Sequence, residues 1–186
     1  MEKIPFRISP MLATLVDRPF SKEGWVFEEK YDGVRMLAYK EGQKVSLISR
    51  NGIDRSNRYP TIAAEIAKLN AKTLLLDGEI VVFDARRVSR FQLLQQGKGN
   101  AQFAVFDCLY KDGRDLRRET LSARRKVLEQ GVKLGATVEI AKRLANDGLH
   151  AFEIATKRGL EGLIGKDSFA PYLVSLWSKL ALEPRR

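Results

Sequence analysis

The chain has 186 residues, 44% hydrophobic and 30% charged, which suits one soluble core with no internal repeat or low-complexity linker and predicts a single domain over residues 1–186. No apolar run reaches membrane-spanning length and Met1 to Arg7 lack the apolar stretch of a signal peptide, so the expected home is the cytoplasm and no membrane partner is expected. Lysine and arginine number 33 against 23 acids, a net charge of +10 that points to a polyanion, with nucleic acid the natural candidate and steep salt dependence the expected signature.

Trp25-Val26-Phe27 reads as a strand, and Val34 to Tyr39 as its partner across a tight hairpin at Asp32-Gly33. Lys30 then sits at the strand's end, a nucleophile candidate at the mouth of a cleft. An exposed lysine titrates near roughly 10.4, so chemistry at neutral pH requires desolvation or neighbouring cations. Val45 to Ser49 is a further strand running into the turn Arg50-Asn51-Gly52, and Pro60 to Leu69 carries Ile62, Ala63, Ile66 and Leu69 at helical spacing. Thr73 to Phe83 is an apolar run interrupted by Asp77 and Glu79. Either Asp77-Gly78 turns a hairpin, or these carboxylates need a metal, a cation or a cleft wall, because unpaired burial is costly.

Arg86-Arg87, with Arg90, falls in the loop that follows and reads as a phosphate contact, while Ser89-x-x-Gln92 resembles a capping box opening a short helix. Ala101 to Tyr110 is a strand holding Phe106, Asp107 and Cys108. That lone cysteine permits no internal disulfide, and with the single histidine, His150, it cannot build a zinc site. Basic residues recur from Arg114 to Arg118, at Arg185-Arg186, and at Arg124-Arg125-Lys126, the last read as the solvated face of a helix over Glu119 to Gln130. A helix over Asp147 to Arg158 follows Asn146 as cap. Glu161 to Asp167 is a short strand bracketed by acid and base, and Trp177-Ser178-Lys179-Leu180 closes the series. The elements interleave without βαβ regularity, which predicts an α+β fold of antiparallel sheets flanked by helices around a nucleotide cleft.

Taken in order, Lys30-Tyr31-Asp32-Gly33, Arg50-Asn51-Gly52, Leu76-Asp77-Gly78-Glu79, Phe106-Asp107, Glu161-Gly162-Leu163-Ile164-Gly165-Lys166 and a partial Trp177-x-Lys179 resemble the covalent nucleotidyltransferases, specifically ATP-dependent DNA ligases of the bacterial end-joining type. Pro10-Met11-Leu12-Ala13 and Phe91 to Gln95 extend the resemblance over nearly the whole chain. It implies a two-sheet adenylation domain, ATP and Mg2+ as cofactors, Lys30 as the residue that forms lysyl-AMP, and a DNA break as acceptor in repair. It further implies that Glu28 reads the adenine amino edge, Arg50 holds ribose or the incoming phosphate, and Phe106 stacks on adenine. Glu79 would contact ribose and metal-bound water, Glu161 would be the second metal acid, and Arg35, Lys166 and Lys179 would supply positive potential for the phosphates.

Two departures stand out. Family members carry a second lysine where this chain has Ala181, and an arginine-containing stretch where it has Tyr172 to Leu176; losing one such contact predicts adenylation slower by on the order of 10²-fold. The chain also stops at Arg186, leaving no length for the OB-fold that follows in such ligases, so the first half-reaction is expected of it rather than full nick sealing. A monomer is expected, with end-joining proteins as further partners. The competing readings are an RNA ligase or mRNA-capping guanylyltransferase, which share Lys-x-Asp-Gly, and a catalytically impaired DNA-binding module.

Overall fold

The computed structural model describes residues 3–132, 135–172 and 177–181. Eleven strands and four α-helices follow in chain order: β1 (Ala13–Leu15), β2 (Trp25–Glu29), β3 (Val34–Glu41), β4 (Lys44–Ser49), α1 (Pro60–Ala67), β5 (Thr73–Val81), α2 (Phe91–Gln95), β6 (Gln102–Lys111), β7 (Arg114–Asp115), α3 (Leu121–Gly131), β8 (Val138–Ile140), β9 (Arg143–Ala145), α4 (Gly148–Arg158), β10 (Gly162–Asp167) and β11 (Trp177–Ala181). Sheet one runs β1-β11-β10-β2-β9 and sheet two β4-β3-β5-β6-β7, with β8 also on β6. Pairing is antiparallel except for β1 on β11 and β8 on β6.

The expected hairpin at Asp32-Gly33 does not form. β2 is buried from Val26 to Glu29, so it requires neighbours on both sides, and it finds them in β10 and β9 of sheet one. β3 lies in sheet two between β4 and β5. Lys30-Tyr31-Asp32-Gly33 is therefore the crossover between sheets. Its glycine is needed for close approach rather than for a turn, since a Cβ there would meet the Ile80 carbonyl oxygen at 2.2 Å. Nor does Asp77-Gly78 turn: β5 runs straight through, with a register shift against β6, and a Cβ on Gly78 would meet the Ala104 carbonyl oxygen and the Phe103 ring at 2.6 Å.

Strand alternation gives sheet two two buried faces. Met36, Ala38, Leu74 and Leu76 pack beneath Ile62 and Ile66 of α1. Leu37, Tyr39 and Leu75 face Trp177 of β11, Tyr172 and Met11, forming the core between the sheets. On the far side of sheet one, Ala151 and Ala155 of α4 cover Phe27, Leu163 and Leu180.

Three cap and surface expectations are corrected. Ser89 does not cap α2; its hydroxyl accepts the Asp32 N–H at 2.9 Å, while Asp32 Oδ2 accepts the Phe91 N–H at 3.0 Å, pinning the crossover to α2. α4 is capped by Asp147, which accepts from the His150 N–H, rather than by Asn146. α3 starts at Leu121 behind its cap Thr120, and Arg124 and Arg125 are not a solvated face. Arg124 is fully buried, clasping Asp107 with two bonds of 2.8 Å and reaching the carbonyls of Glu119 and Ala170. Arg125 donates to the carbonyls of Phe106 and Ala141, and only Lys126 of the triplet is exposed. Lone pairs left over in the core attract these guanidiniums, a demand that no periodicity registers. Arg185-Arg186 and residues 173–176 lie outside the described residues.

Candidate active site

A cavity of about 320 Å³ opens between the sheets. Glu28 at the end of β2, Lys30 in the crossover, Arg35 on β3, Arg50 after β4, Glu79 on β5, Phe106 on β6, Lys166 on β10 and Lys179 on β11 all line it. The ninth predicted residue, Glu161, does not line the wall but reaches Lys30, its carboxylate accepting from the Lys30 ammonium. The Lys30 backbone is fixed by a bond to the Gly162 carbonyl, and its side chain is 23% exposed at the cleft's mouth.

The cations fall into two kinds. Arg35 is locked to Asp77 by two bonds of 2.6 and 2.7 Å. Burial works against its charge, but Asp77 outweighs that and holds the guanidinium more basic than usual. Tyr172 donates to the same carboxylate at 2.5 Å and accepts the Met11 N–H at 2.9 Å, so Asp77 also anchors the Pro10-Met11-Leu12-Ala13 segment. Lys166, only 2% exposed, donates to Glu28 at 2.5 Å and lies 4.4 Å and 4.3 Å from the centroids of Phe106 and Trp177. Burial lowers its pKa, against the pull of Glu28. Arg35 and Lys166 thus line the cavity with their charges paired to Asp77 and Glu28. Arg50 and Lys179 have no acidic partner within salt-bridge distance among the described residues. Arg87 pairs with Glu139 at 2.8 Å and lies over the Phe83 ring, its side chain 53% exposed.

Two acids are poised for a ligand. Glu28 is 2% exposed, and while Oε2 holds Lys166, Oε1 has no hydrogen-bond donor, with Arg125 no nearer than 3.5 Å. A buried acceptor without a donor favours a ligand N–H. Glu79 is pushed up to about 8, first by burial, with Arg35 across the ladder opposing and Asp77 adding to the rise. Among the described residues no group of three or more His, Cys, Asp or Glu converges on a metal position. An oxygen pair such as Glu79 and Glu161 fits magnesium, which keeps most of its waters and takes phosphate oxygens from its substrate. Phe106 is 7% exposed, packed edge-to-face on Trp177, and its remaining open surface faces the cavity.

Asp77, Tyr172 and the buried Arg124–Asp107 pair were missed as parts of the site. The cost of burying Asp77 was visible in the sequence; its partner Arg35 was not, because the two meet only in the β3–β5 register. Tyr172 lies in a loop and gives no signal.

Residues 10–180 match the family model described as ATP dependent DNA ligase domain. The chain is 38% identical over 170 residues to the multifunctional non-homologous end joining protein LigD of Pseudomonas aeruginosa, an alignment covering 88% of this chain and 20% of that protein. Against the LigD DNA repair protein of Mycobacterium tuberculosis it is 37% identical over 162 residues, covering 86% and 21%. The structure of mycobacterial DNA ligase D complexed with ATP and MES is similar with a TM-score of 0.84 at 32% identity, covering 96% of this chain and 62% of that one. The chain therefore spans about a fifth of the length of these LigD relatives.

Proposed function

This chain belongs to the ATP-dependent DNA ligase family, and from that premise we propose that residues 1–186 act as an adenylation domain in which Lys30 is the nucleophile. The neutral ε-amine attacks the α-phosphate of ATP, the Nζ–P bond forms, the bond to the bridging oxygen breaks and pyrophosphate leaves. The displaced proton passes to solvent at the open mouth of the cleft. Splitting the transfer in this way replaces one difficult step by two easier ones. Glu161 holds the amine in its resting position and must release it for attack. Arg50 and Lys179, the cations without acidic partners, face the phosphates, while Lys166 and Arg35 act through the carboxylates and rings they orient. Glu79 takes the ribose, and Phe106 offers its ring to the base. Magnesium, held by Glu79, Glu161 and phosphate oxygens, would supply charge neutralisation for the departing pyrophosphate.

One observation carries this reading: Lys30 and seven further residues, each from a different strand or connection, line one cleft. The orphan Glu28 Oε1 favours adenine over guanine, since adenine presents an amino donor where guanine presents a carbonyl. That separates the ligase reading from a capping guanylyltransferase. Transfer of AMP to the 5′-phosphate of a broken DNA strand and a role in end joining complete the proposal, supported by the net charge of +10 and the LigD similarity; a cytoplasmic monomer belongs to the same reading. The test is incubation with α-labelled ATP or GTP and magnesium, followed by denaturing electrophoresis. Label retained from ATP alone is expected; retention from GTP, or from neither, contradicts the assignment.

A further inference from the structure

Glu29 is a buried acid beside the nucleophile that the adenylation chemistry described above does not use. It ends β2, one residue before Lys30, with its carboxylate only 7% exposed. Strand alternation turns it away from Lys166, the partner of Glu28, and toward the C-terminal end of α4, where Arg158 lies 3.5 Å from Oε2. Oε1 has no hydrogen-bond donor among the described residues. Burial raises the Glu29 pKa to about 7, with Glu139 adding to the rise and Arg158, Arg87 and a hydrogen bond from the Ser89 hydroxyl opposing it. An acid half-satisfied in this way is costly to bury, whereas a methionine of similar size would carry no such cost. Stability therefore gives no reason for an acid at this position.

Its place in the chain gives one. Ser89 is 3% exposed, and its Oγ accepts the Asp32 N–H at 2.9 Å. A serine hydroxyl has a single proton; when Glu29 takes it, the lone pairs are left to face Asp32. Glu29 and Asp32 stand on either side of Lys30 and Tyr31, so Ser89 ties together the two ends of the loop that carries the nucleophile. Asp32 passes the restraint on, accepting the Phe91 N–H at 3.0 Å, and Arg158 closes it from behind by donating to the Arg87 carbonyl at 3.5 Å.

Resting on the reading of Lys30 as nucleophile, we propose that Glu29 is a positioning residue for nucleotide transfer: through Ser89 it fixes the loop from Glu29 to Asp32, so that the Lys30 side chain stays aimed into the cleft. A displacement of about 1 Å at a reacting atom costs on the order of 10²-fold in rate. Arg50, Lys179 and Phe106 come from other strands and connections, so ATP binding does not depend on this tie. Glu29 also borders the cavity, and direct contact with ATP is the rival role, one that would show in KM.

The experiment follows single-turnover adduct formation by the full chain over a range of concentrations of α-labelled ATP with magnesium, alongside thermal melts at pH 8. Glu29→Met and Ser89→Ala are each expected to slow the saturated rate by about 10- to 100-fold with the ATP concentration for half-saturation changed less than about threefold. Glu29→Gln, which still offers an oxygen to Ser89, is expected to keep the rate within about threefold. Glu29→Met/Ser89→Ala should be no slower than the slower single variant, because the two act as one unit. Glu29→Met should melt no lower than the wild type, so the lost rate cannot be ascribed to unfolding. Wild-type rates in Glu29→Met or Ser89→Ala, a loss confined to half-saturation, Glu29→Gln as slow as Glu29→Met, or multiplied losses in the double variant would overturn the proposal and leave Lys30 in its role. A wild type that forms no adduct would instead remove the parent reading and this one with it.

Discussion

Glu79 shows how burial and charge oppose each other at one residue. Its pKa is pushed from an ordinary 4.5 up to about 8, chiefly by burial and against the nearby Arg35. Between those values the unfolded chain has released a proton that the folded chain keeps, so stability falls as pH rises through the window and levels off above 8. Glu29, raised to about 7 by burial despite Arg158, adds a slope of the same sign that ends earlier. Thermal melts of Glu79→Gln are expected to lose the decline between 7 and 8 and to keep the part due to Glu29; an unchanged profile would assign the slope elsewhere. Ala181 stands where the resemblance to the ligases implies a second lysine. It is exposed, two positions after Lys179 on the same face of β11, opposite Gly162. Ala181→Lys is expected to speed formation of the covalent nucleotide adduct by about 10- to 100-fold, since it adds a charge-assisted donor near the phosphates, and quench-flow of label incorporation checks this.

At the scale of elements, the contrast lies between where strands and helices form and how they pair. Strand existence was legible wherever branched and aromatic residues clustered, as in β3, β5 and β6, and α1 followed its 3.6-residue spacing. Pairing was not. Asp32-Gly33 has the composition of a hairpin turn, but β2 is buried too completely to leave its edges to one neighbour, and the dipeptide became a crossover. Gly33→Ala would press a Cβ against the Ile80 carbonyl and shift the segment that carries Lys30. It is expected to destabilise by about 1–3 kcal/mol and to depress adenylation even at temperatures where the fold persists, as paired denaturation and labelling would show. The short strands β7, β8 and β9 carried too few residues for any period to appear. α3 was found, but its buried arginines were invisible because long-range partners decide them. Arg124→Met should cost about 3–5 kcal/mol by leaving Asp107 buried without its partner, and Arg124→Met/Asp107→Leu should recover part of that loss in urea denaturation. Equal stability of the single and double variants would contradict that view.

Across the whole molecule, the two sheets are joined by the core around Trp177, Tyr172 and Leu37, and the nucleotide cleft is the place where that core opens. The excess of positive charge is not spread evenly. The buried arginines Arg124 and Arg125 are matched by carboxylates, whereas Arg50 at the cleft has no acidic partner among the described residues. The candidate site was legible because its residues sit at strand ends in a fixed order; the division into matched and unmatched cations was not, because it depends on ion pairs such as Lys166 with Glu28 that link residues 138 positions apart. The central claim is that the Lys30 amine becomes covalently bound to AMP. Intact-mass spectrometry after incubation with ATP and magnesium, followed by peptide mapping, tests it most directly. The expected result is one added AMP on the peptide containing Lys30 in the wild type and none in a folded Lys30→Ala variant. An adduct that persists in that variant, or that maps to another lysine, would contradict the account.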